Sequence, residues 1–357
     1  MTKLRVGFVG SGEATQLLHL PALNQLREQF TVTALCDVSP ATLAKVADHW
    51  RIPLRTVDYR ALVTLEEVDV VVVANPNAYH AAVALAALQA GKHVMIEKPM
   101  CMTLREADEI IAATAAGDRI VQVGYMRRYA PAFGEACALV KKLGQIKLAR
   151  VHDVLGSNSL FSQNTNWIER AGDTPAAILA EGQALNDALI TEAVGDVTPE
   201  LRNAYGLLLG LSSHDISAMR ELLGMPHRVL YAAARSGGLY LSAAFDYGDF
   251  VCQFETGIDN IARFDGHLEV FGENQVLRVQ FDTPYVRNLP IRLTVTETNG
   301  RGGVIERVEN PVWGDPFVVE WQAFHANVMG GLSPKTTPAD FRQDLELFQQ
   351  MIVCMQR

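Results

Sequence analysis

The sequence predicts an α/β chain: a doubly wound parallel sheet, then an α+β domain on a large, mostly antiparallel open sheet. Three observations predict it. Strand-like and helix-like segments alternate over the first 125 residues. Beyond residue 145, short turns such as Tyr247-Gly248-Asp249 and Gly272-Glu273-Asn274 join consecutive strand-like runs. With 357 residues at 49% hydrophobic and 20% charged, the chain can bury two cores, at about 150 residues per domain.

The first half justifies its elements in order. Leu4–Val9 reads as a buried strand, and residues 14–29 as a helix that Pro21 kinks or breaks. Residues 31–36 are rich in β-branched side chains and end at Asp37. Ser39-Pro40 then opens a helix, because Ser caps and Pro suits the first helical position. Residues 68–74 hold four consecutive valines, which suits a strand covered on both faces. Asn75-Pro76-Asn77 breaks that strand, and residues 78–90 form a helix closed by Gly91. A strand over 92–96, a helix over 103–116 with a Thr103/Glu106 capping box, and a strand over 120–123 complete the series. Such alternation gives a parallel sheet.

In the second half, residues 151–155, 229–234, 239–247, 250–256, 267–271, 276–281 and 291–298 read as strands, mostly in antiparallel hairpins. An alanine-rich, acidic stretch over 171–206 reads as helical, and a last helix follows Pro338. The expected domains are 1–125 and 126–357, with 338–357 as the C-terminal helix.

A net charge of −9 argues against nucleic acid or an anionic membrane surface as partner. No apolar run approaches the ~18 residues that span a bilayer, and residues 1–7 lead straight into a strand without a secretory pattern. The five cysteines are scattered without CxxC spacing, which fits reduced thiols in a cytoplasmic protein and gives no support to a metal site.

The candidate chemistry gathers at strand ends. Gly10-Ser11-Gly12, followed by Glu13 and Ala14, satisfies most of a dinucleotide fingerprint. Gly10 permits the tight turn, and Gly12 lets a pyrophosphate approach the backbone at a helix N-terminus. Thr15 stands where a third small residue is usual, so looser helix–strand packing is expected there. Asp37 is placed to accept the ribose hydroxyls and to repel an extra phosphate, so NAD is favoured over NADP; its other reading is a helix cap. Asn75, Pro76, Asn77 and His80 stand at the fourth strand's carboxyl end, where ligands bind in open α/β sheets. Asn77 also suits a turn or cap. Glu97-Lys98-Pro99 ends the next strand. A lysine there, beside a carboxylate, is placed to handle a proton.

The glycine turn, His19-Leu20-Pro21-Ala22-Leu23, Asp37, Ala74-Asn75-Pro76-Asn77-Ala78-Tyr79-His80, Ala90-Gly91-Lys92-His93-Val94, Glu97-Lys98-Pro99 and Gly124-Tyr125-Met126-Arg127-Arg128-Tyr129 occur in that order. Together they resemble the glucose–fructose oxidoreductase / inositol dehydrogenase / MocA family. The resemblance runs on more weakly through residues 267–272 and 320–331. It implies a Rossmann domain paired with an open-sheet domain whose face often forms oligomer contacts, as in a homodimer or homotetramer. It also implies an NAD(P)-dependent dehydrogenase of a sugar, inositol or related polyol. Lys98 looks like the family's catalytic lysine, Glu97 and Met126 like cofactor-side residues, and His214 like its catalytic histidine. In Leu209-Gly210-Leu211-Ser212-Ser213-His214-Asp215, however, Gly210 replaces the aspartate that usually accompanies the histidine.

The residues themselves suggest that Ser212 and Asp215 form a capping box with His214 in the first turn of the helix, whose positive end would favour a neutral imidazole. Arg127 and Arg128 either orient substrate hydroxyls or carboxylates, or form a surface pair bridging the domains. Asn166, Trp167 and Tyr285 could hold a sugar ring. Asp173, Glu181, Asp187, Glu192 or Asp196 could stand in for the aspartate missing at position 210. Two alternatives keep the nucleotide: a regulator without turnover, and an elimination or glycoside-cleaving enzyme that recycles NAD.

Overall fold

The computed structural model describes residues 3–165, 167–309 and 313–357. The chain divides into two compact units. The first comprises Met1–Tyr125, Asn166–Gly195 and Phe317–Leu345; the second comprises Met126–Thr165, Asp196–Pro316 and Glu346–Arg357. The expected boundary after residue 125 coincides with the first break between the units, and two later segments return to the first unit. Their anchoring residues lie far apart in sequence and carry no local signal.

The first unit holds a six-stranded parallel sheet of β1 (Leu4–Val9), β2 (Phe30–Cys36), β3 (Leu54–Thr56), β4 (Val70–Val73), β5 (His93–Glu97) and β6 (Val121–Gly124). Its order is β3-β2-β1-β4-β5-β6. The order reverses between β1 and β4, so a crevice opens at their carboxyl ends. All four valines of β4 are buried, as a strand with helices on both faces requires. The β6 edge is covered from the C-terminal segment: Val123 N–H donates to the Thr336 carbonyl at 2.8 Å, and Thr336 Oγ1 donates to the Val123 carbonyl at 2.8 Å. The helix Pro316–Gly330 buries Phe317, Glu320, Trp321, Phe324 and His325, a spacing that lays one stripe inward.

The first helical segment is wound wide over Ala14–His19, where the Leu20 N–H reaches the Thr15 carbonyl five residues back, and then α-helical over Leu20–Gln25. Pro21 sits at the start of the α-helical part, so the break falls there. Thr15 is fully buried and donates its hydroxyl to the Gly10 carbonyl at 2.7 Å. The packing at this position is closed rather than loose, because a local hydrogen bond satisfies the extra oxygen.

The second unit holds an eight-stranded sheet of β7 (Leu148–Gly156), β8 (Arg228–Arg235), β9 (Tyr240–Asp246), β10 (Val251–Asp259), β11 (Phe264–Phe271), β12 (Gln275–Phe281), β13 (Arg292–Thr298) and β14 (Val304–Glu309). The order is β14-β13-β12-β11-β7-β10-β9-β8, antiparallel except where β7 meets β10. Expectation missed β14, an edge strand whose side chains are mostly exposed and so lack an apolar alternation.

Candidate functional site in the first unit

A parallel sheet delivers every strand's carboxyl end to one edge, so Gly10, Asp37, Asn75 and Lys98 share it. Gly10 is obligatory there. Its φ is +100°, and a Cβ would lie 2.3 Å from the Ala74 carbonyl oxygen. Its N–H donates to the Cys36 carbonyl at 2.9 Å, so the turn is pinned at the switch point. Gly12 differs: a Cβ there would meet nothing within 4 Å. The space above Gly12 is open at the start of a helix, as a phosphate cradle requires. The Asn75 Oδ1 is buried and has no hydrogen-bond partner among the described residues, which leaves an acceptor for a ligand hydroxyl or amide. These features fit a dinucleotide.

Asp37 is not the cap of the following helix. Ser39 is, accepting from the Thr42 N–H at 3.1 Å. Asp37 Oδ2 instead accepts from the Ser11 N–H at 2.8 Å and hydroxyl at 2.6 Å, and Oδ1 from the Ser39 N–H at 2.8 Å. The carboxylate thus ties the glycine turn to the β2 end while facing the same edge. Glu13 makes an ion pair with Arg170, so its carboxylate is engaged within the protein.

His80 is corrected from a cofactor contact to a strut. It is buried, with Nδ1 2.7 Å from the Pro99 carbonyl and Nε2 2.7 Å from the Asn75 carbonyl. Burial holds its pKa below the usual value, against the pull of those two carbonyls. The ring fastens the end of β4 to the turn that follows Lys98. Asn77 begins a single helical turn over Asn77–Tyr79.

Lys98 follows β5, half-buried, and its backbone N–H donates to Glu97 Oε2 at 3.1 Å. Glu97 Oε1 lies 2.7 Å from His19 Nε2, and Trp321 Nε1–H reaches His19 Nδ1 at 3.1 Å. The indole N–H can only donate, so Nδ1 accepts and the imidazole proton sits on Nε2, facing Glu97. Burial pushes the Glu97 carboxyl up. The hydrogen bond from His19, with the nearby charge of Lys98, outweighs it and holds the pKa below the ordinary range. Glu320 behaves oppositely: burial, then the charge of Glu97, push its carboxyl well above the ordinary range. His19 stands within a motif of the sequence, but the sequence marks no role for it or for Trp321. The only local signal was the inward stripe of the helix that carries Trp321.

The remaining candidate residues fall elsewhere. Trp167 stacks on His49 with ring centroids 4.2 Å apart, so it covers a helix of the first unit. Asp173 binds the Ser39 hydroxyl and the Ala41 N–H, and Glu192 binds Arg105 at 2.9 Å. Both are committed within the first unit and are not free to replace the aspartate missing at Gly210. Asn166 lies outside the described residues.

In the second unit, His214 is nearly buried, but not at a helix start. Pro199–Leu207, the wide-wound Leu208–Ser212 and Ser213–Leu223 run on from one another, and Ser212 keeps helical dihedrals without a capping bond. The helix-end argument for His214 fails, and Asp215 is no cap. Asp215 and Asp153 instead receive Arg127 Nη1 at 2.6 Å and 2.9 Å. Burial works against charge on Arg127, but the pull of Asp153 and Asp215 raises its pKa. Arg128 Nε donates to Glu221 at 2.5 Å. Both arginines are buried in ion pairs; the expectation of surface or substrate-facing guanidiniums is corrected, because their carboxylate partners lie far away in sequence. Met126 is buried beside them in sequence, and Tyr285 Oη accepts from Asn158 at 3.2 Å. Among the described residues no group of three or more His, Cys, Asp and Glu could hold a metal ion, and no helix is long and apolar enough to cross a membrane.

Residues 4–125 match the GFO_IDH_MocA oxidoreductase family, described as having an NAD-binding Rossmann fold. The N-terminal domain belongs to this family. The chain is 25% identical to the uncharacterized oxidoreductase YrbE of Bacillus subtilis over 76% of its own length and 72% of that protein. It is 36% identical to the inositol 2-dehydrogenase/D-chiro-inositol 3-dehydrogenase of Lactiplantibacillus plantarum, over 36% of this chain and 35% of that one. The match thus spans about a third of the inositol dehydrogenase's length. Across 99% of the chain the fold is similar to levoglucosan dehydrogenase in complex with NADH, with a TM-score of 0.77, 17% identity and 97% of that structure covered. It is equally similar to the aldose-aldose oxidoreductase of Caulobacter crescentus, with a TM-score of 0.76, 17% identity and 98% covered. In this domain the turn at Gly10–Gly12, Asp37 and the Asn75 acceptor are residues that could hold NAD.

Proposed function

We propose that the protein is an NAD(P)-dependent dehydrogenase acting on a secondary alcohol of a sugar, inositol or related polyol. The observation that carries this reading is Lys98, set at the end of β5 on the same sheet edge as the nucleotide-binding turn of an oxidoreductase domain. Bound NAD supplies the hydride acceptor. Lys98 binds the reacting hydroxyl and takes up or relays its proton, since hydride loss from an alcohol requires the proton to leave as well. Glu97, held by His19 and in turn by Trp321, fixes the backbone from which Lys98 projects. His214 is proposed as the second proton-handling group. The inositol dehydrogenases to which the chain is similar in sequence support the substrate class.

The test is purified protein with NAD and a panel of polyols and sugars, followed for NADH absorbance and for product. Oxidation coupled to NADH formation is the expected result. Product without NADH would replace this reading with an NAD-recycling elimination. Nucleotide binding with neither signal would replace it with a regulator. Lys98→Met should cut turnover by about 10²–10⁴-fold while the protein still binds NAD. A near-normal rate would remove Lys98 from the mechanism.

A further inference from the structure

Residues 167–195 run as a strap over the first unit. Trp167 stacks on His49. Glu169 binds Lys45 at 2.6 Å, and its backbone is clasped by the Gln16 amide at 2.9 and 3.0 Å. Arg170 pairs with Glu13, and the Ala171 N–H reaches Thr42 Oγ1 at 3.1 Å. Asp173 then ends the run at the first turn of the helix Pro40–Trp50, where it takes the Ser39 hydroxyl and, at 3.0 Å, the Ala41 N–H. Further along, Gly182 lies against the Tyr79 ring, at 3.5 Å from the position a Cβ would take, and Glu192 reaches Arg105. The strap thus follows the carboxyl edge from the β2 end, past the turn after β4, to the helix after β5.

We propose that Asp173 is a specificity-determining residue that excludes the 2′-phosphate of NADP by filling, with the chain's own carboxylate, the anion position at the start of the helix after β2. This rests on the reading of the glycine turn as a pyridine-nucleotide site. A helix N-terminus attracts anions through its unpaired N–H groups and its dipole. Here the Ala41 N–H and the Ser39 hydroxyl are already taken by Asp173. The Ser39 N–H is taken by Asp37. Two carboxylates therefore flank Ser39, and one of them, Asp37, is the acid expected to meet the adenosine ribose. A phosphate added to that ribose would meet two negative charges where the Ser39 and Ala41 N–H groups and the Ser39 hydroxyl are already taken, whereas the uncharged hydroxyl of NAD meets acceptors. The bonds from Ser39 and Ala41 hold the Asp173 carboxyl below its ordinary pKa, so the charge persists across neutral pH.

The test is equilibrium binding by calorimetry of NAD, NADP and 2′,5′-ADP to wild-type protein, Asp173→Ala and Asp173→Asn. Wild-type protein should prefer NAD. Both variants should gain about tenfold in affinity for NADP and 2′,5′-ADP, with NAD affinity changing little, because like charges are costly at close range. Asp173→Asn keeps one of the two oxygen acceptors and the side-chain shape, so it carries the test if Asp173→Ala lowers the thermal midpoint. Unchanged NADP affinity in a folded variant, or a parallel loss for NAD and NADP, would overturn the assignment and leave Asp173 as a structural tie. Failure of wild-type protein to bind either nucleotide would overturn the nucleotide reading itself, and shows as the absence of any binding heat.

Discussion

The two ends of the first sheet's carboxyl edge are built in different ways. At the β1–β2 end, neighbours make the site: Gly10 bends the chain, Ser11 and Ser39 share Asp37, and Thr15 closes back on the Gly10 carbonyl. At the β5 end, Lys98 rests on a chain of side chains, Glu97 to His19 to Trp321, the last of them 302 residues from His19 in sequence. Backbone geometry dominates the first end and buried polar pairing the second. Substitutions at the two ends should therefore fail differently.

The largest expected effect is the loss of turnover in Lys98→Met, with nucleotide binding retained. The glycine turn then separates packing from binding. Gly10→Ala drives a Cβ into the Ala74 carbonyl and should destabilise the fold by about 3 kcal/mol or more. Gly12→Ala has room, so it should leave the thermal midpoint nearly unchanged while weakening NAD. Equal stability losses in the two variants, measured by denaturant titration, would mean that the open space above Gly12 has no special role.

Two intermediate effects sharpen the contrast. Asp37→Ala should weaken NAD by about 1–3 kcal/mol in a binding titration, the cost of hydroxyls and turn donors left without their acceptor. Trp321→Phe removes the donor that fixes the His19 tautomer and should cost about 1–3 kcal/mol of stability. It should lower kcat with NAD affinity retained. A fall in NAD affinity with kcat unchanged would detach this chain of side chains from Lys98.

The smallest effect concerns pH. A carboxyl raised in the folded state, as at Glu320, destabilises the fold as pH rises above the ordinary glutamate value of about 4.3. Glu97 has the opposite sign: its lowered pKa gives stability above that value, lost as the pH falls through the folded one. Glu320→Gln removes the first dependence, so its thermal midpoint should exceed the wild-type value by a few degrees more at pH 8 than at pH 5. A constant difference across that range would show that Glu320 does not titrate as its burial demands.

What the sequence made legible follows the same divide. The parallel sheet, the tight turn at Gly10 and the Thr103/Glu106 capping box are written in windows of a few residues, and the structure reproduces them. The ion pairs of Arg127 and Arg128 were illegible, because each partner lies tens of residues away. So were the strap from Trp167 to Glu192 and the indole over His19. At His214 the local pattern misled: Ser212 and Asp215 have capping-box spacing, yet the helical winding carries through them. A cap needs a chain that arrives extended, and here it arrives already helical.

The account turns on a nucleotide held along the carboxyl edge of the first sheet. The most direct measurement is a crystal structure of the protein grown with NADH. It predicts density over the Gly10–Gly12 turn, with the adenosine ribose at Asp37 and the Lys98 amine facing the nicotinamide end. A well-ordered protein with that edge empty at saturating NADH, or with the nucleotide bound elsewhere, would contradict it.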